Sequence, residues 1–130
     1  MTTTNEQAIT RAYEAFGTGD MQAIRDESFA ADIRWTWPGS GPLSGVYENI
    51  DGVLGMFGKL VEGSKGTFKV APESIQGFGD FVVVCSRASW TDAAGSHDDP
   101  YVQTFRMSNG RAAECNIHFS NIALWDAFPA

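Results

Sequence analysis

Apolar residues change their spacing once along this chain, and the change divides it into two halves. From Glu6 to Phe16 the apolar positions Ile9, Ala12, Tyr13 and Phe16 recur at helical spacing and form one stripe. Gly17-Thr18-Gly19 follows, and glycine readily takes the left-handed conformation that ends helices. Asp20 predicts a second, short helix from Met21 to about Phe29, capped by the carboxylate accepting free N–H groups. Ile33-Arg34-Trp35-Thr36-Trp37 alternates as a strand does, and Pro38-Gly39 closes it. A loop over 40–47 leads to a third helix, opened by Asn49 or Asp51, with Val53, Leu54, Phe57, Leu60 and Val61 as its stripe. Gly52, Gly55 and Gly58 each cost that helix about 1 kcal/mol against alanine. Packing must hold it, and a close approach to a sheet would explain the small residues.

From Gly66 onward the period is two. Residues 67–70, 73–76, 81–90, 101–107 and 112–120 read as strands, separated by Gly77 and Gly79-Asp80, Ala94-Gly95 and Ser108-Asn109-Gly110. The Asn-Gly pair between two strand runs is the strongest hairpin signal in the chain. Helices first and antiparallel strands afterwards predict an α+β fold, a sheet covered on one face. Without repeat, linker or low-complexity segment, 130 residues are expected to form a single domain over 1–130.

Composition narrows the function classes. The chain is 43% hydrophobic and 19% charged, as ordinary globular proteins are, so it is not a disordered or fibrous chain. Its net charge is −7, and its nine basic residues are scattered, which argues against nucleic acid and anionic membranes as partners. No segment reads as membrane-spanning or as a secretory leader, so a cytoplasmic location is expected. Cys85 and Cys115 fit a reducing compartment and no metal spacing. Gly39-Ser40-Gly41 lacks the lysine and the frame of a phosphate loop, and neither cofactor nor metal is expected.

Several short motifs, in order, carry a resemblance. Ala12-Tyr13-Glu14-Ala15-Phe16 with Gly19-Asp20, then Phe29-Ala30-Ala31-Asp32, is similar to the opening of SnoaL-like and ketosteroid-isomerase-like proteins of the nuclear transport factor 2-like superfamily. Pro38-Gly39 with Pro42-Leu43-Ser44-Gly45-Val46-Tyr47, Phe105-Arg106 with Asn109-Gly110-Arg111 and Glu114, and Asn121 with Trp125-Asp126-Ala127-Phe128 resemble the SnoaL-like branch. The resemblance implies three N-terminal helices packed on a strongly curved, mostly antiparallel sheet that forms a cone-shaped pocket. It also implies a homodimer through the outer sheet face. The catalytic positions do not carry over. Where ketosteroid isomerases place a carboxylate base this chain has Trp37; their oxyanion-donating acid falls on Gln103, and their helix-1 tyrosine on Ala12, one place from Tyr13. The aspartate of limonene-epoxide-hydrolase-like enzymes falls near Ile117. Neither of those two mechanisms is expected.

Strand alternation, aligned on the family, turns Tyr101, Gln103 and Phe105, then Cys115, Ile117 and Phe119, and then Ser86, Ala88 and Trp90 toward the pocket. Arg87, Ser89, Val102, Thr104, Arg106, Glu114, Asn116 and His118 fall on the outer face. Trp35 and Trp37 either stack on a planar ligand or fill core, and Phe57, Trp90, Tyr101, Phe105, Cys115 and Phe119 complete the candidate binding set. Gln103 can donate to a carbonyl or enolate oxygen, or be satisfied by a neighbouring strand. Tyr13 offers a phenol donor or sits in the core. His97, beside Asp98 and Asp99, is either a proton carrier at the pocket mouth, oriented by an adjacent aspartate, or part of a solvated turn. The expected activity is cofactor-independent proton transfer on an apolar oxygenated metabolite: isomerisation, cyclisation or dehydration. Gln103 and Tyr13 would polarise a carbonyl, and His97 or Asp98 would move the proton. The alternative is a non-catalytic binding or accessory protein using the same aromatic pocket.

Overall fold

The computed structural model describes residues 4–129. Thr4 and Gln7 open α1 (Asn5–Thr18) with a reciprocal cap: Thr4 Oγ1 accepts from Gln7 N at 3.1 Å, and Gln7 Oε1 accepts from Thr4 N at 2.9 Å. Gly19, at φ 77°, ends α1 with its N–H on the last carbonyls. Asp20 caps α2 (Met21–Ala23) through Ala23 N, but the helix then widens into a π-helical turn, Ile24–Ser28. The carbonyls freed around that turn are taken by the Arg111 guanidinium, which donates to Arg25 O, Asp26 O and Phe29 O. β1 therefore begins at Phe29 and runs to Trp37, four residues earlier than the alternation alone places it.

β2 (Gly45–Glu48) is an edge strand where a loop was expected, paired with β1 so that Trp35 faces Tyr47. Asn49, at φ 65°, turns the chain into α3 (Asn49–Gly63), and its side chain accepts from Gly52 N. The expectation of a close approach is overturned at Gly55 and Gly58. A methyl group on either would meet open space, and Ile50, Val53, Met56, Phe57 and Leu60 carry the packing of α3.

The strands form one mixed, curved sheet in the order β2-β1-β6-β5-β4-β3. β3 (Lys69–Phe78) is one strand with a register shift at Pro72, where two short strands were expected; proline has no N–H to give the ladder. β4 (Phe81–Asp92) pairs along its whole length with β5 (Gly95–Ser108), from Phe81 with Arg106 to Asp92 with Gly95. β5 and β6 (Arg111–Phe119) follow around Asn109-Gly110. β1 and β6 alone run parallel, with Trp35 beside Cys115. α3 packs on β1 and α1 on β3, which closes the concave face.

A short α4 (Ile122–Asp126) then carries Trp125, and after it Phe128, back onto that face; both are fully buried. Two glycines make room for this tail. A methyl group on Gly41 would collide with the Asp126 backbone, and one on Gly63 with the Pro129 carbonyl and the Phe128 ring. Among the described residues no helix is long and apolar enough to cross a membrane.

Candidate ligand pocket

The sheet and helices leave a cavity of about 60 Å³ between them. Its walls come from α1 (Ala12, Tyr13, Phe16), β1 (Phe29, Trp35, Trp37), α3 (Phe57, Leu60), β5 (Tyr101, Gln103, Phe105), β6 (Ile117, Phe119) and Trp125 of α4, with Ile24, Phe68 and Val70 completing them. Alternation places these groups. Tyr101, Gln103, Phe105, Cys115 and Ile117 are buried, whereas Val102, Thr104 and Arg106 are half-buried, and Asn116 and His118 exposed, on the outer face. Ser86, Ala88 and Trp90 likewise turn inward.

Among the expected binding residues, Trp35, Trp37, Phe57, Tyr101, Phe105 and Phe119 border the cavity. Trp90 and Cys115 are buried but do not border it. Trp90 stands behind Trp125, with ring centroids 4.7 Å apart, and Cys115 lies beneath Gln103.

Polar groups inside the cavity are few and uncharged. The Tyr13 hydroxyl donates to Gln103 Oε1, ninety residues away in sequence, and Gln103 Nε2 lies 3.5 Å from Cys115 Sγ. Burial pushes the Tyr13 phenol well above its ordinary pKa, and the neighbouring Tyr101 and Cys115 add to the shift. Burial likewise pushes Tyr101 up to about 12 and the Cys115 thiol well above the usual thiol range. All three stay protonated at neutral pH, so the cavity offers neutral hydrogen-bonding groups and no negative charge of its own.

His97 and Asp98 lie elsewhere. His97 belongs to the inner face of β5, not to a turn, and pairs with Asp92 across the hairpin, Nε2 to Oδ1 at 2.8 Å. Asp92 also accepts from Trp90 Nε1 and Ala94 N, and its pairing with His97 holds its carboxyl below the usual range. Asp98 does not orient the histidine. It sits on the outer face, bound to Arg87 at 2.7 Å. The reason is the period of two: neighbours on a strand face opposite ways. Six residues of strand separate His97 from Gln103, about 20 Å, so the two do not meet at one reacting centre.

Asp99 turns inward and is buried, holding Ser120 Oγ at 2.7 Å, Trp125 Nε1 at 2.9 Å and Asn121 N at 3.3 Å. Asp126, on the same tail, accepts from Ser40 N and Gly41 N. Sequence reasoning missed Trp125 and Phe68 as walls. Trp125 stacks on Phe119 at 4.2 Å and lies edge-on to Trp37 at 5.8 Å. Its sequence signal is the tail motif Asn121 with Trp125-Asp126-Ala127-Phe128, which carries the family resemblance without marking Trp125 as a wall. Among the described residues no group of histidine, cysteine and carboxylate side chains stands at metal-binding distance.

Residues 9–115 match the SnoaL-like domain. The structure is similar to that of Bal32a, from a soil-derived mobile gene cassette: 25% identity over 97% of this chain and 96% of that one, TM-score 0.91. A nuclear transport factor 2-like protein from Burkholderia pseudomallei is 27% identical over 98% and 99% of the two chains, TM-score 0.82. A candidate SnoaL-like polyketide cyclase from Jannaschia sp. CCS1, 20% identical over 97% and 92%, TM-score 0.79, shares the fold. No curated protein matches the chain in sequence.

Proposed function

This chain belongs to the SnoaL-like domain family, and on that premise we propose that its cone binds a small, mostly apolar molecule through one carbonyl or phenol oxygen. The Tyr13–Gln103 pair carries the reading, as a polar spot in an otherwise aromatic and aliphatic wall. An amide has two N–H donors, and a phenol oxygen keeps lone pairs after its proton is given away. With one amide N–H turned to Cys115 Sγ, the other can donate to a carbonyl, and the phenol oxygen can accept from a hydroxyl. If negative charge develops on a bound carbonyl oxygen, as in an enolate, that donor stabilises it where little water competes. That is the share of isomerase, cyclase or dehydratase chemistry these residues supply, and the likeness to a candidate polyketide cyclase supports it.

One observation favours a second reading, a binding or accessory protein that holds its ligand unchanged. Among the described residues, no carboxylate or imidazole borders the cavity to take a proton. Acetophenone incubated with the protein in D₂O separates the readings. Methyl deuteration above the buffer rate, lost in Gln103→Leu, supports proton transfer. Binding without added deuteration supports the carrier. Absence of both would sink the cone as a ligand site.

A further inference from the structure

The polar spot in the cavity wall is a matched pair of one acceptor and one donor. The Tyr13 hydroxyl gives its proton to Gln103 Oε1, so its oxygen is left with lone pairs. One stays open even where the Tyr101 hydroxyl, which shares a hydrogen bond with Tyr13, donates to it. Gln103 Nε2 turns one N–H to Cys115 Sγ at 3.5 Å and keeps the other. Both side chains border the cavity, in a wall that is otherwise aromatic and aliphatic. A ketone oxygen can use the donor alone. A hydroxyl uses both, giving its hydrogen to the phenol oxygen and accepting one from the amide. Polar groups away from water are costly to leave unpaired, so the pair favours the hydroxyl.

Charge around the cavity selects the form of that hydroxyl. Among the described residues no lysine, arginine or histidine borders the cavity, and β1, α3 and α4 bring no titratable group to it. Tyr13 on α1, Tyr101 on β5 and Cys115 on β6, behind Gln103, are each held neutral by burial. Asp99, on the inner face of β5 two residues from Tyr101, is a buried carboxylate. α1 and α3 reach the cavity with Phe16 and Leu60 of their last turns, where the helix dipole is negative. An anion there would meet one amide N–H and no positive charge, and desolvation disfavours it as well. We propose that the ligand is a hydroxyarene bound in its un-ionised form, its O–H donating to Tyr13 Oη and its oxygen accepting from Gln103 Nε2. This rests on the cone-binding reading above and narrows it to a protonated phenol. Binding is then linked to pH through the ligand. The site takes the phenol below its pKa and loses it above, and the bound phenol ionises at a higher pH than the free one.

The test uses 4-nitrophenol, which ionises close to neutral pH and turns yellow as it does. With the whole protein in saturating excess at the probe's own pKa, the yellow is expected to fade. The pKa of the bound probe should rise by about one unit or more, at least a tenfold preference for the neutral form. Affinity, measured by calorimetry, should fall by the same factor as the pH is raised past both values. 4-Nitroanisole has the same ring with a methyl group in place of the proton. It should bind about tenfold more weakly than neutral 4-nitrophenol, the equivalent of one net hydrogen bond. Acetophenone, the probe of the cone itself, should bring the yellow back by displacement. Unchanged or deepened yellow in the saturated protein overturns the inference and leaves the cone as a binding site. Equal binding of 4-nitroanisole does the same. Binding of acetophenone without displacement of 4-nitrophenol also overturns it, since the phenol then sits elsewhere. If neither acetophenone nor 4-nitrophenol binds, the cone reading falls and this inference with it.

Discussion

The cavity wall and the region around α4 and the β4–β5 hairpin use polar groups in opposite ways. Around α4 and that hairpin, the ionisable side chains are saturated by the fold. Asp99 holds three donors and Asp92 three, and Asp126 ties the tail to the loop at Ser40 and Gly41. Inside, Tyr13 and Gln103 are uncharged, and one amide N–H of Gln103 is left over from its contacts with Tyr13 and Cys115. The groups best suited to acid–base chemistry are thus committed to structure, while the polar groups on the cavity wall are neutral.

Four measurements can break or sharpen that contrast. The largest effect is expected from Trp125→Ala, which empties a fully buried site and should cost about 3–5 kcal/mol by urea denaturation. A cost below about 1 kcal/mol would mean that the tail rests loosely on the sheet. Asp99→Asn removes the charge that gathers Ser120, Asn121 and Trp125, and about 3 kcal/mol of stability should go with it. Unchanged stability would show these donors to be satisfied otherwise.

The interior is probed by pH. Tyr101 ionises near pH 10 in an unfolded chain and at about 12 in the folded one. Below pH 10 both states keep the proton and nothing is lost. Between pH 10 and 12 the unfolded chain ionises first, so stability should fall by roughly 2–3 kcal/mol, and Tyr101→Phe should lack that part of the fall. Identical profiles for both proteins would place the phenol in water. The smallest stability effect, about 1 kcal/mol, is expected for Gln103→Leu, with affinity for acetophenone lowered several-fold. If affinity holds, Gln103 is a strand-packing residue and the contrast loses its inner term.

Much of this arrangement was legible in advance, for a physical reason. Period-two alternation depends on neighbours in sequence, so Tyr101, Gln103 and Phe105, and Ser86, Ala88 and Trp90, could each be read as one face, and the family resemblance said which face turns inward. What escaped depends on distant partners. Gly95-Ser96-His97-Asp98-Asp99-Pro100 has the composition of a turn, yet it is strand because residues 87–92 pair with it. Asp92 as the partner of His97 was within reach, since folding β4 back on β5 about Ala93-Ala94 brings the two together. Trp125 was not within reach. A five-residue helix has no stripe to read, and Asp99, which fixes its indole, is twenty-six residues away. Gln103 was legible as an inward amide, but its bond to Tyr13 required the fold.

The parallel pairing of β1 with β6 has a kinetic consequence. β3 to β6 follow one another as hairpins and can form locally, whereas Trp35 meets Cys115 only after a loop of about eighty residues closes. Long-range closure of that kind is the slow event in folding. The wall carrying Trp35 and Trp37 is set beside Ile117 and Phe119 in that same event. A chain halted just before it would hold its helices and hairpins and still have no cavity, so a closed cavity marks the last step of folding and not the first.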